Sequence, residues 1–230
     1  MKPETPSLLL YFFSCVAAVS FNAMGDYTSA IYSKGVLVPS IFIYYLITNN
    51  YKIDLLKILI FIFSFCGEVY FLIDNTYTEM IPIVSFLLVY IFILKYVISD
   101  FKKIKLYKKD FSPILIAVLL ILILFCTILN LQFERMEIDF SFIVIYSSVL
   151  AFLSFLSFAC FISKPSYSFL NLILMSTCFI ISDIFYMLDN FYFTLSTFRI
   201  LGSSTQVLSY YFLVTYFIEQ DKFLKKLNNN

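Results

Sequence analysis

The sequence predicts an all-α integral membrane protein with eight transmembrane helices. Three observations carry that expectation. Of 230 residues, 61% are hydrophobic and only 13% charged, with a mean hydropathy of +0.91, more apolar surface than a soluble domain of this length can hide. The apolar residues gather in runs of about 20, the length of helix that crosses a bilayer. The polar breaks between the runs are brief, and the cations collect on alternate breaks.

Taken in order, the first run covers residues 7–23. Its flank, Pro3-Glu4-Thr5-Pro6 with Lys2, is a weak leader sequence, so the run reads as an uncleaved helix. Asn22 and Asp26 stand near its far end. The second, 31–48, opens on Lys34, a lysine remote from the others. The third, 55–73, holds Gly67-Glu68 and ends at Asp74-Asn75. The fourth, 81–99, contains Tyr90, and the fifth and sixth, 111–131 and 140–162, are almost purely apolar. The seventh, 167–188, holds Ser182-Asp183 and ends at Asp189-Asn190. The eighth, 196–219, starts at Arg199 and includes Gln206, Tyr210 and Tyr211.

An even number of spans puts both termini on one side. That side receives 13 of the 16 Lys+Arg residues, among them Lys52, Lys57, Lys102, Lys103, Lys164 and Lys222. The other side receives Lys34, Arg135 and Arg199 and seven of the 15 acids, so both termini are expected in the cytoplasm. The expected location is a plasma membrane of the bacterial inner-membrane type. The basic run Lys102–Lys109 is read as a topology-fixing loop rather than a lipid-headgroup site.

Composition also excludes much chemistry. His is absent, which removes His-based triads, HExxH zinc sites and haem-ligating His. The five Cys are scattered through apolar runs and form no CxxC motif. No metal and no cofactor is expected. A net charge of +1 makes no case for nucleic acid.

Two stretches match in register: FCGEVYFLIDN from Phe65 and FIISDIFYMLDN from Phe179. Glu68 falls on Asp183, Asp74 on Asp189 and Asn75 on Asn190. The helices that hold them are four spans apart and run the same way. This implies one polytopic domain, residues 1–230, made of two parallel four-helix repeats, roughly 1–110 and 111–230. On each helix the carboxylate and the amide seven residues on share a face, about 10 Å apart along the axis. Two such stripes facing one another would line a pocket open towards the outer leaflet.

A carboxylate within the bilayer costs about 2.5–3.5 kcal/mol on insertion scales and marks a functional site by default. Glu68 and Asp183 are therefore the expected catalytic pair. The plain alternative is a carboxylate hydrogen-bonded to neighbours only to lock helices together. Lys34, Asp74, Asn75, Tyr90, Asp189, Asn190, Arg199 and Tyr210 are the expected substrate-binding residues. For Lys34 and Arg199 the plain alternative is snorkelling to the interface, and for the tyrosines it is packing.

The order Lys34, Gly67-Glu68, Ser85-Phe86, Ser182-Asp183 with Phe191, and Tyr210-Tyr211 resembles the YhhN family of eight-span proteins, which includes the lysoplasmalogenases. The likeness runs through nearly the whole chain. It departs from the family pattern at Glu68 (Asp in the family), Gly35 (Pro), Tyr90 (His) and Val214 (Gln). The resemblance implies a hydrolase of lipid metabolism that cleaves the vinyl ether bond of lysoplasmalogen by general acid-base catalysis, with a membrane lipid as substrate. Such chemistry needs one carboxylic acid to protonate the outer alkene carbon and one carboxylate to stabilise the resulting cation and activate water. The rival expectations are a proton-coupled small-molecule transporter and a non-catalytic lipid-binding protein. Oligomeric state is left open.

Overall fold

A computed structural model describes residues 2–70, 80–104, 110–130, 140–192 and 195–228. Side chains at 124, 127–130, 140, 190, 191 and 223–228 lie outside that description.

Within the described residues the chain forms eight α-helices: α1 (Thr5–Met24), α2 (Tyr27–Thr48), α3 (Leu55–Val69), α4 (Met80–Phe101), α5 (Phe111–Asn130), α6 (Phe140–Ser163), α7 (Tyr167–Phe191) and α8 (Ser196–Asn228). Each coincides with one apolar run. Five, namely α1, α2, α4, α6 and α7, contain a segment long and apolar enough to cross a membrane. The described part of α3 has 15 residues, about 22 Å of helix and short of the roughly 30 Å hydrocarbon core. α8 has 33 residues and a polar C-terminal third that lowers its hydropathy.

Local chemistry sets the helix ends. α1 stops at Gly25, whose φ of 77° closes the turn back onto Phe21 and Asn22. The Asp26 carboxylate then accepts the Ser29 N–H at 3.1 Å and starts α2. Asp54 caps α3 in the same way on the Lys57 N–H, and Ser166 caps α7 on the Phe169 N–H. Pro82 and Pro113 sit in first turns, where a missing N–H leaves no gap.

Packing arranges six helices in a ring: α2 on α3, α3 on α4, α4 on α6, α6 on α7, α7 on α8, and α8 back on α2. The other two helices lie outside the ring. α1 seats against both α2 and α8, whereas α5 packs on α6. The fully buried centre includes Ile41, Ile60, Val89, Ile93, Phe179 and Phe217. This apolar layer separates two polar clusters, one towards each end of the ring.

Candidate functional site

At one end the ring encloses a cavity of about 930 Å³. All eight helices contribute to its wall. α1, α3, α5 and α7 do so from their C-terminal halves, through Asn22, Glu68, Phe125 and Asp183; α2, α4, α6 and α8 do so from their N-terminal halves, through Lys34, Phe86, Tyr146 and Gln206.

Glu68 is 4% exposed and fully engaged. The Lys34 ammonium lies 2.8 Å from its Oε2. The Tyr210 hydroxyl donates to Oε1 at 2.6 Å, and the Gln206 amide donates to the same atom at 3.0 Å. Gln206 in turn accepts the Ser182 hydroxyl, which ties α7 into the network. Glu68 is thus a carboxylate with a counter-ion from α2 and two neutral donors from α8.

Asp183 is held differently. Its Oδ2 accepts the Tyr146 hydroxyl at 2.8 Å and the Tyr90 hydroxyl at 3.1 Å. The two phenol oxygens are 3.2 Å apart and the rings meet at 5.4 Å. Asp183 enters no ion pair among the described residues. One carboxylate of the cavity therefore has a cation and the other has only neutral donors.

A third polar group stands nearer the mouth. Arg199 Nε is 3.4 Å from Asp189 Oδ2, and its guanidinium donates to the Tyr27 hydroxyl and lies over the Tyr27 ring. Asp189 Oδ1 is buried and accepts no hydrogen bond among the described residues. Asn22 donates to the Ser203 hydroxyl at 2.9 Å and joins the ends of α1 and α8. At the start of α2, the Ser29 hydroxyl and N–H hold the Asp26 carboxyl below its ordinary value, so the cap that begins the Lys34 helix stays charged.

Of the residues singled out from sequence, Glu68, Asp183, Lys34, Asp189 and Arg199 all line the cavity. Tyr90 and Tyr210 lie behind it as hydrogen-bond donors to the two carboxylates. Asp74 and Asn75 fall outside the described residues, and Asn190 lies in the last turn of α7 with its side chain outside them. Tyr146 was not visible in the sequence, because one Tyr in an apolar run carries no distinguishing mark. Gln206 was visible as an in-span amide, but its role appears only from its contact across 138 residues to Glu68.

Much of the remaining wall is apolar, with Phe86, Ile121, Phe125, Ile143, Leu150 and Ile180 prominent. A ligand filling this space needs a hydrocarbon part and a polar part. Compared with protein families, curated proteins and solved structures, the chain matches none of them.

Proposed function

We propose that the protein is an intramembrane lipid hydrolase of the lysoplasmalogenase type. One observation carries the reading: two carboxylates share a cavity, and their partners are unlike. Glu68 faces a lysine, so its negative charge is balanced where it lies. Asp183 is offered only hydroxyls. An uncompensated charge in an apolar interior is costly, so Asp183 is the member suited to carry and deliver a proton.

In the proposed reaction Asp183 protonates the outer alkene carbon of a vinyl ether. The neighbouring carbon becomes an oxocarbenium ion. Glu68 stabilises that cation and orients the water that captures it, the proton shed by that water restores the Asp183 carboxylic acid, and the hemiacetal then breaks down to an aldehyde and a glycerophospho-base. Lys34 holds Glu68 ionised, Gln206 and Tyr210 fix its position, and Tyr90 and Tyr146 orient Asp183. Arg199, at the mouth, is suited to the phosphate of the substrate.

The same proposal includes eight crossings, two parallel four-helix repeats and cytoplasmic termini. Four features support it. The cavity is lined alternately by C-terminal and N-terminal halves of successive helices. Helix packing nearly repeats when each helix number is advanced by four: α1·α2 with α5·α6, α2·α3 with α6·α7, α3·α4 with α7·α8, and α4·α6 with α8·α2. The carboxylate donors follow the same rule. Glu68 of α3 is held from α2 and α8, and Asp183 of α7 is held from α6 and α4. The far end of the ring holds Lys52, Lys102, Lys103, Lys164 and Lys222, as cytoplasmic placement requires.

A proton-coupled carrier is the second reading, favoured by the closed polar cluster at the end opposite the cavity, which could act as a gate. The two are separated by one experiment. The purified protein in detergent is incubated with lysoplasmalogen and aldehyde is measured for wild type, Glu68→Gln and Asp183→Asn. Release by wild type, lost in both folded variants, is the expected result. No aldehyde from folded wild type, together with solute uptake in sealed vesicles, would replace the hydrolase with the carrier.

A further inference from the structure

The two helices outside the ring are related by the packing repeat, yet they seal it unequally. α1 covers the junction of α8 and α2. Its Tyr11 hydroxyl donates to the Val207 carbonyl, its Asn22 bonds Ser203, and Tyr11, Ser14, Cys15 and Ala18 are buried. Advancing the helix numbers by four puts α5 at the corresponding junction of α4 and α6. It packs on α6 and makes no comparable packing with α4 among the described residues. Leu115, Ile116, Leu119, Leu120 and Ile123 on α5 are exposed, while Ile121 is buried.

Ile121 and Phe125 of α5 nevertheless line the cavity. A helix outside the ring can do so only where the ring is parted, so the cavity reaches outward between α4 and α6. The one α1 residue that lines it, Asn22, lies in the last turn, at the mouth. Ile121 lies mid-helix, nine residues before the end of α5 at Asn130, a depth of about 14 Å. The floor of the parting is the Tyr90–Tyr146 pair, where α4 and α6 meet and where both hydroxyls hold Asp183. Its sides are Pro82, Phe86, Ile143, Ile121 and Phe125, all without a polar side-chain atom.

We infer that this parting between α4 and α6, flanked by α5, is a lateral opening through which the hydrocarbon chain of a bilayer lipid enters the cavity. The inference rests on the membrane-lipid reading above and names the route and the part of the lipid that uses it. At this depth the surroundings of a membrane protein are chains, not headgroups or water. An apolar wall accepts a chain with no polar group left unpaired. The chain that passes over Tyr146 arrives beside Asp183, and the headgroup remains on the side of Arg199. The outer face of α1 has no such passage, because its polar and packed contacts close the matching junction.

The test uses the full chain in vesicles that contain a diacyl phosphatidylcholine with a diazirine midway along one chain. This lipid has no vinyl ether, so the result does not depend on hydrolysis. After irradiation the labelled residues are mapped by mass spectrometry. Labels are expected on cavity-wall residues such as Leu150 and Ile180 as well as on exposed Phe13 and Val16 of α1. Ile143→Trp and, separately, Ile121→Trp fill the opening. Each is expected to cut the Leu150 and Ile180 labels several-fold and leave the α1 labels unchanged, and those α1 labels serve as the folding control. Labels confined to outward faces in wild type overturn the inference. So do cavity labels that persist in whichever Trp variant retains the α1 pattern. Aldehyde release without cavity labelling would keep the hydrolase and retire the route; cavity labelling without aldehyde release would do the reverse.

Discussion

The two ends of the helix ring are built from the same residue types but to opposite effect. At the cavity end Lys34 pairs with Glu68, backed by Tyr210 and Gln206. At the far end Lys57 pairs with Asp221 at 2.6 Å, and Tyr45 and Asn49 donate to the other oxygen of Asp221 at 2.7 and 2.8 Å. Nearby, Asp100 accepts from Tyr216 and Gln220. On α8 a Tyr and a Gln four residues apart serve both ends, Gln206 with Tyr210 and Tyr216 with Gln220.

The difference is what lies beside each cluster. Lys34 is 21% exposed and faces the cavity, whereas Lys57 is 3% exposed and lies 5.1 to 5.6 Å from the ring centres of Tyr45, Tyr96 and Phe217. No residue of the far cluster lines the cavity. An ion pair enclosed by aromatic rings has its cation stabilised by ring faces. It holds α2, α3 and α8 in register. An ion pair beside a void holds the same helices and still presents a charge to a ligand. Composition alone thus does not separate a lock from a site; adjacent space does.

The sharpest way to break this contrast is to neutralise one carboxylate at each end. Asp183→Asn is expected to lower turnover of the vinyl ether by about 10²–10⁴-fold, the usual worth of a general acid. Asp100→Asn is expected to leave turnover per folded molecule unchanged. Aldehyde release measured on monodisperse protein decides it. Equal losses would mean that the far cluster belongs to the machinery.

The next contrast is in stability. Removing one partner of a buried ion pair costs about 3–5 kcal/mol, and Lys57→Met is expected in that range. Lys34→Met strands Glu68 beside a cavity that water can enter, so its loss is expected to be smaller. Denaturant unfolding of both variants gives the order, and a reversal would show that the cavity end is the tighter lock. A weaker version removes single hydroxyls. A hydrogen bond to a charged group contributes about 1.5–3 kcal/mol, and Tyr216→Phe is expected to lose this much. Tyr146 lines the cavity, where water can replace the lost hydroxyl on Asp183, so Tyr146→Phe should cost less stability while altering turnover.

Much of this molecule was legible in its sequence. All eight helices follow from runs of apolar residues, and Glu68 and Asp183 stood out because a carboxylate inside such a run is expensive. Lys34 stood out as a cation on the wrong side of the charge bias. Lys57 did not: it was counted only as one more cation on the side expected to be cytoplasmic. Its partner Asp221 is 164 residues away, a distance over which no local pattern operates. The same limit hid Tyr146 and the unequal seating of α1 and α5. Periodicity identifies which face of a helix is apolar, but not whether that face meets a neighbour, a cavity or lipid.

The smallest expected effect tests how much give the cavity end has. Gly67 lies beside Glu68 on α3, and a Cβ there would stand 2.9 Å from Cε2 and 3.0 Å from Cζ of Phe86. In a helix interior Ala is favoured over Gly by about 1 kcal/mol. The ring contact opposes that gain, and the balance depends on whether Phe86 can move. Phe86 lines the cavity at the α4–α6 parting, so it has space to swing a few tenths of an ångström inward. Gly67→Ala is therefore expected to change stability by less than about 1 kcal/mol while narrowing the opening and weakening lipid labelling within the cavity. Overfilling a packed core instead costs about 1–3 kcal/mol. A loss of that size in a denaturant titration would mean that Phe86 is held as firmly as Phe217, and that the cavity end is packed like the lock rather than built to receive a ligand.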